Sequence, residues 1–324
     1  MTFASFRILF PLSSVLLMGA GLAVAQTFPQ KPVRIVVPFQ AGGSTDVVFR
    51  ILAPQLTEQL GQTVVVDNRP GGGATIGMEI VAKSPPDGHT LGVATLSFVC
   101  NPFILSKLPY DSVKDLAPVT LVTRVPHVFA VHPSVPVRTI KELIALAKAK
   151  PGGILYASGG NATSNHLAME YFNYKTGVKM VHVPYKGAGS ALTSLLSGET
   201  TIFAASLSSA VQHFKSGRLV AIGVSTLTRD PLLPNVPTIS ESGVPGYEVV
   251  EWHGVVVPAG TPAAVIGRLH QEIIKALALP EVKEKIGNVG AQIVGSTPDE
   301  LAAHIRKELA LWQTVVKAAG IRAE

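Results

Sequence analysis

The 324-residue chain is 47% hydrophobic and only 15% charged, so it can bury a large core, and a disordered protein is excluded. Its 30 glycines and 24 prolines follow no collagen period and indicate frequent turns in an α/β protein of one large or two ordinary domains. The single cysteine, Cys100, excludes an internal disulfide and a cysteine-rich metal site, and we expect it to be a buried small hydrophobic residue.

The N-terminal segment has the pattern of a secretory signal peptide. One positive charge, Arg7, precedes an apolar run over residues 8–22, and residues 23–25, which have the small-x-small pattern of a cleavage site, lead to Gln26. A proline and two serines interrupt the run, which argues against a membrane anchor. We therefore predict cleavage after Ala25 and a periplasmic protein. The net charge of +6 is spread along the chain without a basic run, so nucleic-acid binding is not expected.

After this segment, short β-branched stretches, glycine-rich turns and amphipathic helices alternate. The first series is predicted to contain strands over 33–37, 63–66 and 90–94 and helices over 47–60 and 75–83. The second is predicted to contain strands over 128–131, 154–157, 180–183, 201–204 and 220–225 and helices over 139–149, 165–174, 189–196 and 210–215. This alternation predicts right-handed crossovers and parallel strands covered by helices.

The end of the chain has a different character. Residues 231–245 are rich in proline, serine and glycine and are predicted to be a connector, and helices are expected over 263–277, 280–289 and 298–319. Two α/β series followed by a helical return predict two lobes with a ligand between them. The expected division is a signal peptide over 1–25, a first lobe of 26–126 plus 249–324, and a second lobe of 127–248.

Two glycine-rich loops, over residues 39–46 and 158–164, combine the same chemical features. Glycines let a ligand approach the backbone, the following helix offers free N–H groups, and Ser44, Thr45, Thr163 and Ser164 add hydroxyls. A carboxylate fits this chemistry, and no Walker sequence supports a nucleotide phosphate. The alternative is that both loops are ordinary helix starts, with Asp46 or Thr45 as the cap of the first helix.

Other candidate sites receive less support. The glycines over 71–77 lack dinucleotide-binding spacing and a following acidic residue, so no cofactor is predicted. His166 and Glu170 stand one helical turn apart and could form a metal-ligand pair, but a polar pair at the surface or cleft edge is favoured, and no metal site is predicted. Without a Gly-x-Ser-x-Gly sequence, or a histidine near Cys100 in the sequence, no catalytic residue is predicted.

Tyr185 and Lys186 follow a predicted strand end and a rigid proline, just before another helix start. They could line a cleft and offer a hydroxyl and a positive charge to an anion. The alternative is a turn in which Tyr185 is packed and Lys186 is solvated. The residues alone leave both interpretations open.

Short segments that match a known family pattern, in the same order, are spread over nearly all of the mature chain. They are residues 37–39 with 42–46, 66–73, 87–90, 109–111 with 118–119, 158–164 with 166–167, 182–187, 234–238 with 241–243, and 258–262. Together they resemble the Bug family, the extracytoplasmic solute-binding proteins of tripartite tricarboxylate transporters.

The resemblance implies a type II periplasmic-binding-protein fold, an α/β architecture with two lobes, a mainly parallel sheet in each and a ligand cleft between them. It implies capture of a small carboxylate, either a di- or tricarboxylate or an aromatic acid, and delivery to membrane permease subunits by a monomer without catalysis or cofactor. Carried over by position, the ligand-binding residues are Phe39, Ala41, Gly42, Gly43, Ser44, Asp46, Asn161, Thr163 and Ser164, with Ser97 and Tyr185 as further candidates.

The chain departs from the family pattern at three places. Gln40-Ala41 precedes the first glycines where the family often has proline, and Asn161 replaces a frequent glycine. Thr201 and Ala205 stand where many members have aspartates, which argues against an ammonium-bearing ligand and favours a plain or aromatic carboxylate. Two other functions remain open: a secreted hydrolase that uses Ser44 or Ser164, and a sensor that reports its ligand to a membrane kinase.

Overall fold

The computed structural model describes residues 1–2 and 28–322, so most of the predicted signal peptide and its cleavage site lie outside the described residues. The strands are β1 Val33–Val37, β2 Val64–Asn68, β3 Thr90–Ala94, β4 Leu116–Val131, β5 Leu155–Ser158, β6 Val181–Pro184, β7 Ile202–Ser206, β8 Val220–Val224, β9 Val250–Pro258 and β10 Gln292–Ile293. The helices are α1 Ser44–Leu60, α2 Thr75–Ala82, α3 Leu96–Ile104, α4 Ile140–Ala149, α5 Ser164–Thr176, α6 Ala188–Leu196, α7 Leu207–Lys215, α8 Ala263–Ala278, α9 Pro280–Asn288 and α10 Pro298–Ala319. None of these helices is long and apolar enough to cross a membrane.

The strands pair in the order β2-β1-β3-β9-β4-β7-β5-β6, and β8 and β10 both pair with β4. Parallel pairs join β1 to β2 and β3 in a first half, and join β5 to β6 and β7 in a second half. The central strands β4 and β9 run antiparallel to their neighbours. Most strands of the two series therefore pair in parallel as predicted, whereas residues 128–131, which lie in β4, and strand β8 pair antiparallel.

Strand β4 belongs to both halves. Its residues 116–126 pair with β9, and its residues 127–131 pair with β7 and β8. The sequence pattern predicted only the second part, because Pro118 and Pro126 interrupt the first and proline cannot donate to a ladder. In the structure, Pro118 lies at a register irregularity and Pro126 forms the last pair with β9. One continuous strand thus links the halves.

Helix α3 and strand β9 were also missed by the pattern analysis. Seven of the nine α3 residues are buried, so no alternation of apolar and polar residues marks it as a helix. Cys100 lies in this helix, fully buried as predicted, and burial raises the pKa of its thiol. Every residue of β9 is buried. Both elements lie in the core, where periodicity gives little information.

Candidate functional site

A cavity of about 850 Å³ opens between the two halves. It is lined by residues 38–41, 43–45, 70–74, 159–165 and 184–190, together with Thr95, Leu105, Thr193, Ser206 and Glu251. Both glycine-rich loops singled out from the sequence therefore face the same space. This volume lies within the range of small-molecule sites.

Six helices begin at the wall of this cavity. Their N-cap residues all line it: Gly43 for α1, Ala74 for α2, Thr95 for α3, Thr163 for α5, Gly187 for α6 and Ser206 for α7. In none of these six described helices does the N-cap side chain bond to the helix backbone. Because a helix N-terminus carries partial positive charge and unpaired N–H groups, their convergence makes the cavity attractive to an anion.

Asp46 shapes the first loop without lining the cavity. Its carboxylate accepts hydrogen bonds from the Gly42 N–H, Arg50 Nε and Asn68 Nδ2, each at 2.9 Å. Burial alone would raise the pKa of this carboxyl, but the hydrogen bonds from Arg50, Gly42 and Asn68 hold it below its ordinary value. The alternative in which Asp46 or Thr45 caps α1 is wrong, because Gly43 is the N-cap residue. Asp46 instead holds Gly42 at φ +85°.

Ser44 and Thr45 lead to a buried acid that the sequence reasoning missed. The Ser44 hydroxyl donates to Oε1 of Glu251 at 2.8 Å, and the Thr45 hydroxyl lies 3.2 Å from Nε2 of His253. His253 also contacts Glu251 at 3.3 Å and the Thr123 hydroxyl at 2.8 Å. Burial would raise the pKa of Glu251, but hydrogen bonds with His253 and Ser44 lower it. The only sequence feature that could have indicated Glu251 is its charge within the otherwise largely apolar stretch that forms β9.

The second loop brings Asn161, Thr163 and Ser164 to the cavity wall. The Thr163 hydroxyl donates to the Gly160 carbonyl at 2.7 Å, which tightens the turn before α5. Ser164, the first residue of α5, lies at the positive end of that helix. These three predicted residues share one cavity with Phe39, Ala41, Gly43 and Ser44.

A stack of buried rings supports the second loop from behind. The Ala162 N–H donates to Nδ1 of His166 at 3.2 Å, and this ring stacks on His182 with centroids 4.1 Å apart. Burial, with the neighbouring His182, lowers the pKa of His166 to about 3. Glu170 accepts a hydrogen bond from the Tyr156 hydroxyl. His166 and Glu170 thus bond to different groups and do not form the expected polar pair at the surface or cleft edge; no metal-binding cluster occurs among residues 1–2 and 28–322.

The two further candidates differ in position. Tyr185 and Lys186 line the cavity, and the Tyr185 hydroxyl is buried without a hydrogen-bond partner among the described residues. Ser97 lies behind the wall, where its hydroxyl donates to the Ala162 carbonyl at 2.7 Å. That bond connects α3 to the second loop, so Ser97 joins the two sides of the cavity.

The two sides also meet at small residues. A Cβ atom on Gly187 would lie 2.8 Å from Oε1 of Gln40, and one on Gly73 would lie 3.1 Å from the Asn161 carbonyl oxygen. Two of these residues, Gln40 and Asn161, are departures from the family pattern. The amide end of Gln40 could move aside, but Gly73 at φ +61° and Gly187 at φ +114° have backbone conformations that favour glycine, so the shape of the opposing loops depends on these two residues.

The positions used to argue against an ammonium-bearing ligand lie elsewhere. Thr201 and Ala205 are not among the residues that line the cavity, whereas Glu251 is. The missing aspartates at these positions therefore do not exclude an ammonium-bearing ligand, because Glu251 supplies an acid at the cavity wall.

The hydrolase alternative required a histidine next to Ser44 or Ser164. The Ser44 hydroxyl is bonded to Glu251, and within the described ranges no histidine lies within hydrogen-bond distance of either serine hydroxyl. His253 instead contacts Thr45 and Thr123. This arrangement lacks the nucleophile–base pair that such a hydrolase requires.

Comparison with known proteins agrees with the geometry. Residues 48–321 match the model of the tripartite tricarboxylate transporter family receptor, TctC. Protein BugT of Bordetella pertussis is 36% identical over 308 residues, which cover 94% of each chain.

Two solved structures provide ligand-bound comparisons. An R. palustris protein with adipate is 34% identical with a TM-score of 0.87, covering 91% of this chain and 99% of that one. MatC from Rhodopseudomonas palustris with bound malate is 30% identical with a TM-score of 0.85, covering 89% and 100%. The chain therefore belongs to the tripartite tricarboxylate transporter receptor family, as a two-lobe periplasmic solute-binding protein rather than an enzyme.

Proposed function

We propose that this protein captures a small carboxylate in the cavity between its lobes and delivers it to the membrane permease of a tripartite tricarboxylate transporter. The observation that carries the proposal is the convergence of six helix N-termini on one cavity. An anion near one helix N-terminus gains about 0.3–1 kcal/mol at an exposed site, and more where it is partly buried. Several such termini around one enclosed ligand make a carboxylate the best-matched group.

The proposed contacts are the predicted residues at the cavity wall, Phe39, Ala41, Gly43, Ser44, Asn161, Thr163, Ser164 and Tyr185. Gly42, Asp46 and Ser97 are proposed to act through the backbone, because they hold the two loops in position from behind. Lys186 adds a positive charge at the cavity wall.

The ligands of the relatives support this class but leave the compound open. Adipate and malate are both dicarboxylates, and both occur in structures similar to this chain. They differ in length, and malate carries a hydroxyl group that adipate lacks. The choice among carboxylates therefore depends on side chains of this chain.

We also propose that the lobes comprise residues 26–126 with 249–324, and residues 127–248, in a monomer that closes around its ligand. The change of partners within β4, from β9 up to Pro126 to β7 from His127, supports this boundary. The hinge would lie within β4 and just before β9, since the chain crosses between the halves at these two places.

Export completes the proposal, with cleavage after Ala25. The mass of the protein recovered from the periplasm measures this directly. A mass that corresponds to a chain starting at Gln26 is expected, and an intact N-terminus would contradict the cleavage.

Calorimetry of the secreted protein against linear di- and tricarboxylates and aromatic acids tests ligand binding. We expect at least one acid to bind and to raise the melting temperature, and absence of binding across the panel would contradict the proposal. Delivery is tested by uptake of that acid in cells lacking the protein, which should fall. Unchanged uptake with a lost transcriptional response would instead indicate the sensor.

A further inference from the structure

Glu251 is an unexpected residue in a cavity built to attract anions. It lines the wall, it is only 8% exposed, and its pKa is lowered by its hydrogen bonds although burial opposes this. A ligand carboxylate beside it would meet a like charge. The position of Glu251 therefore limits which part of a ligand can lie next to it.

The hydrogen bonds of Glu251 all involve one oxygen atom. Oε1 accepts from Ser44 at 2.8 Å and contacts His253 at 3.3 Å and Thr45 at 3.5 Å. Oε2 has no hydrogen-bond partner among the described residues. It is also not fully buried, unlike the unpartnered Thr95 hydroxyl oxygen. Because Glu251 lines the cavity, this second oxygen is available to a ligand there.

Two neighbouring hydroxyl groups can also accept a hydrogen bond from a ligand. The Ser44 hydroxyl has its single proton directed to Glu251, so its lone pairs remain for a donor on the ligand. Thr95, at the start of α3, is 3% exposed, lines the cavity, and its hydroxyl has no partner within the described part of the chain. Oε2 of Glu251 and the Ser44 oxygen are thus acceptors that a plain carboxylate cannot use, whereas the Thr95 hydroxyl can either donate or accept.

We propose that the ligand is a carboxylate that carries an additional hydrogen-bond donor, a hydroxyl or an ammonium group, which donates to Oε2 of Glu251. This inference rests on the proposed function and narrows its substrate class. The carboxylate groups lie at the helix N-termini, and the donor group lies at Glu251. The N–H groups of the helix N-termini and the free oxygen of Glu251 then both have hydrogen-bond partners when the lobes close.

The expected selectivity follows from what an unsuitable ligand leaves unpaired. A ligand without the donor covers Oε2 of Glu251 and removes its water without replacing that hydrogen bond. Sites that bond a polar substrate group reject the analogue that lacks it, since their own buried group is left unsatisfied. We expect a preference of at least about tenfold for the donor-bearing acid.

Calorimetry with sets of matched acids tests this preference. Each set keeps one carbon frame and changes one substituent: succinate, malate and aspartate; glutarate, 2-hydroxyglutarate and glutamate; adipate, 2-hydroxyadipate and 2-aminoadipate; benzoate, 2-hydroxybenzoate and 2-aminobenzoate. In the set that binds best, the hydroxy or amino acid should bind at least about tenfold more tightly than the plain acid. Whichever of the two is preferred identifies the donor.

The remaining outcomes separate this inference from the proposed function. A plain acid that binds as tightly as its substituted partners overturns the inference but supports carboxylate capture. No binding in any set contradicts both proposals.

The variant Glu251→Gln tests whether this residue is the cause. Its preference for the donor-bearing acid should fall at least about tenfold, mainly through weaker binding of that acid. Glu272→Gln is the matched control, because Glu272 is also buried but bonds to Lys275 and Arg268 on α8. An unchanged preference in Glu251→Gln overturns the assignment. If that variant does not fold, the wild-type matched sets still decide the ligand class.

Discussion

The helices that begin at the cavity and two whose N-cap residues do not line it, α4 and α10, are capped differently at their N-termini. At α4, the Thr139 hydroxyl accepts from the Glu142 N–H and the Glu142 carboxylate accepts from the Thr139 N–H. At α10, Thr297 and Glu300 form the same reciprocal pair. The six helices at the cavity lack such side-chain caps in the described structure.

This difference indicates where the protein leaves backbone N–H donors free for a ligand. An isolated helix start is stabilised by its own side chains, whereas the starts around the cavity keep their N–H groups available. A missing side-chain cap is not sufficient by itself, since α8, whose N-cap residue is Pro262, and α9, which begins at Pro280, also lack one. Convergence on one cavity is the feature that distinguishes the six.

The largest effect on the cavity side is expected from Asp46→Ala. This change removes the acceptor that holds Gly42 and the partner of Arg50 and Asn68, so the first loop loses its shape. Ligand affinity should fall about a hundredfold, as expected for loss of charged hydrogen bonds. Calorimetry measures it, with Asp67→Ala as control, because Asp67 pairs with arginines outside the cavity wall. Equal affinities in the two variants would contradict the role of Asp46.

Lowering the pH should reduce the free energy of unfolding through protonation of His166, which lies behind the second cavity loop. Burial lowers its folded-state pKa to about 3, below its ordinary 6.5, so the unfolded chain binds the proton more readily. Stability is therefore fully present above pH 6.5 and is lost as the pH falls from 6.5 toward 3, by up to about 1.4 kcal/mol per pH unit. Denaturant unfolding measures the slope. His166→Asn keeps an acceptor for Ala162 without titrating in this range, and it should flatten the slope; an unchanged slope would contradict this assignment.

Thr163→Ala should affect binding more than stability. Thr163 occupies the N-cap position of α5, but its side chain makes no hydrogen bond to the helix backbone, and the residue lines the cavity. We expect a loss of about 1–2 kcal/mol in binding free energy if the hydroxyl turns its proton from the Gly160 carbonyl to the ligand carboxylate when the ligand binds. Calorimetry and thermal unfolding of the same variant separate the two effects. Unchanged affinity would remove this hydroxyl from the site.

The smallest effect is expected from Thr139→Ala and Thr297→Ala, the opposite case. Each removes a capping box remote from the cavity and should lower the free energy of unfolding by about 1 kcal/mol. Ligand affinity should be unchanged. A reduced affinity would show that remote helix starts also influence the cavity, and the comparison between the two regions would fail.

Local sequence features predicted the parts of the site that are local in the chain. The loops around Ser44 and Ser164 combine glycines with hydroxyls at a helix start, and both loops line the cavity. The interaction of Ser44 with Glu251 spans 207 residues. Sequence motifs do not relate residues so far apart, so the sequence did not reveal Glu251. The prediction about an ammonium-bearing ligand therefore rested on the aspartates missing at positions 201 and 205.

The amino-acid sequence by itself determined the alternation of strands and helices, the glycine-rich helix entrances and the family resemblance, because each depends on residues that are near one another or on ordered short segments. The tertiary structure decided that six helix starts share one cavity, that β4 joins both halves, and that His166 is buried behind the second loop. It also placed Glu251 among the anion-attracting groups. These features depend on packing between distant segments, where burial and strand pairing outweigh local preference.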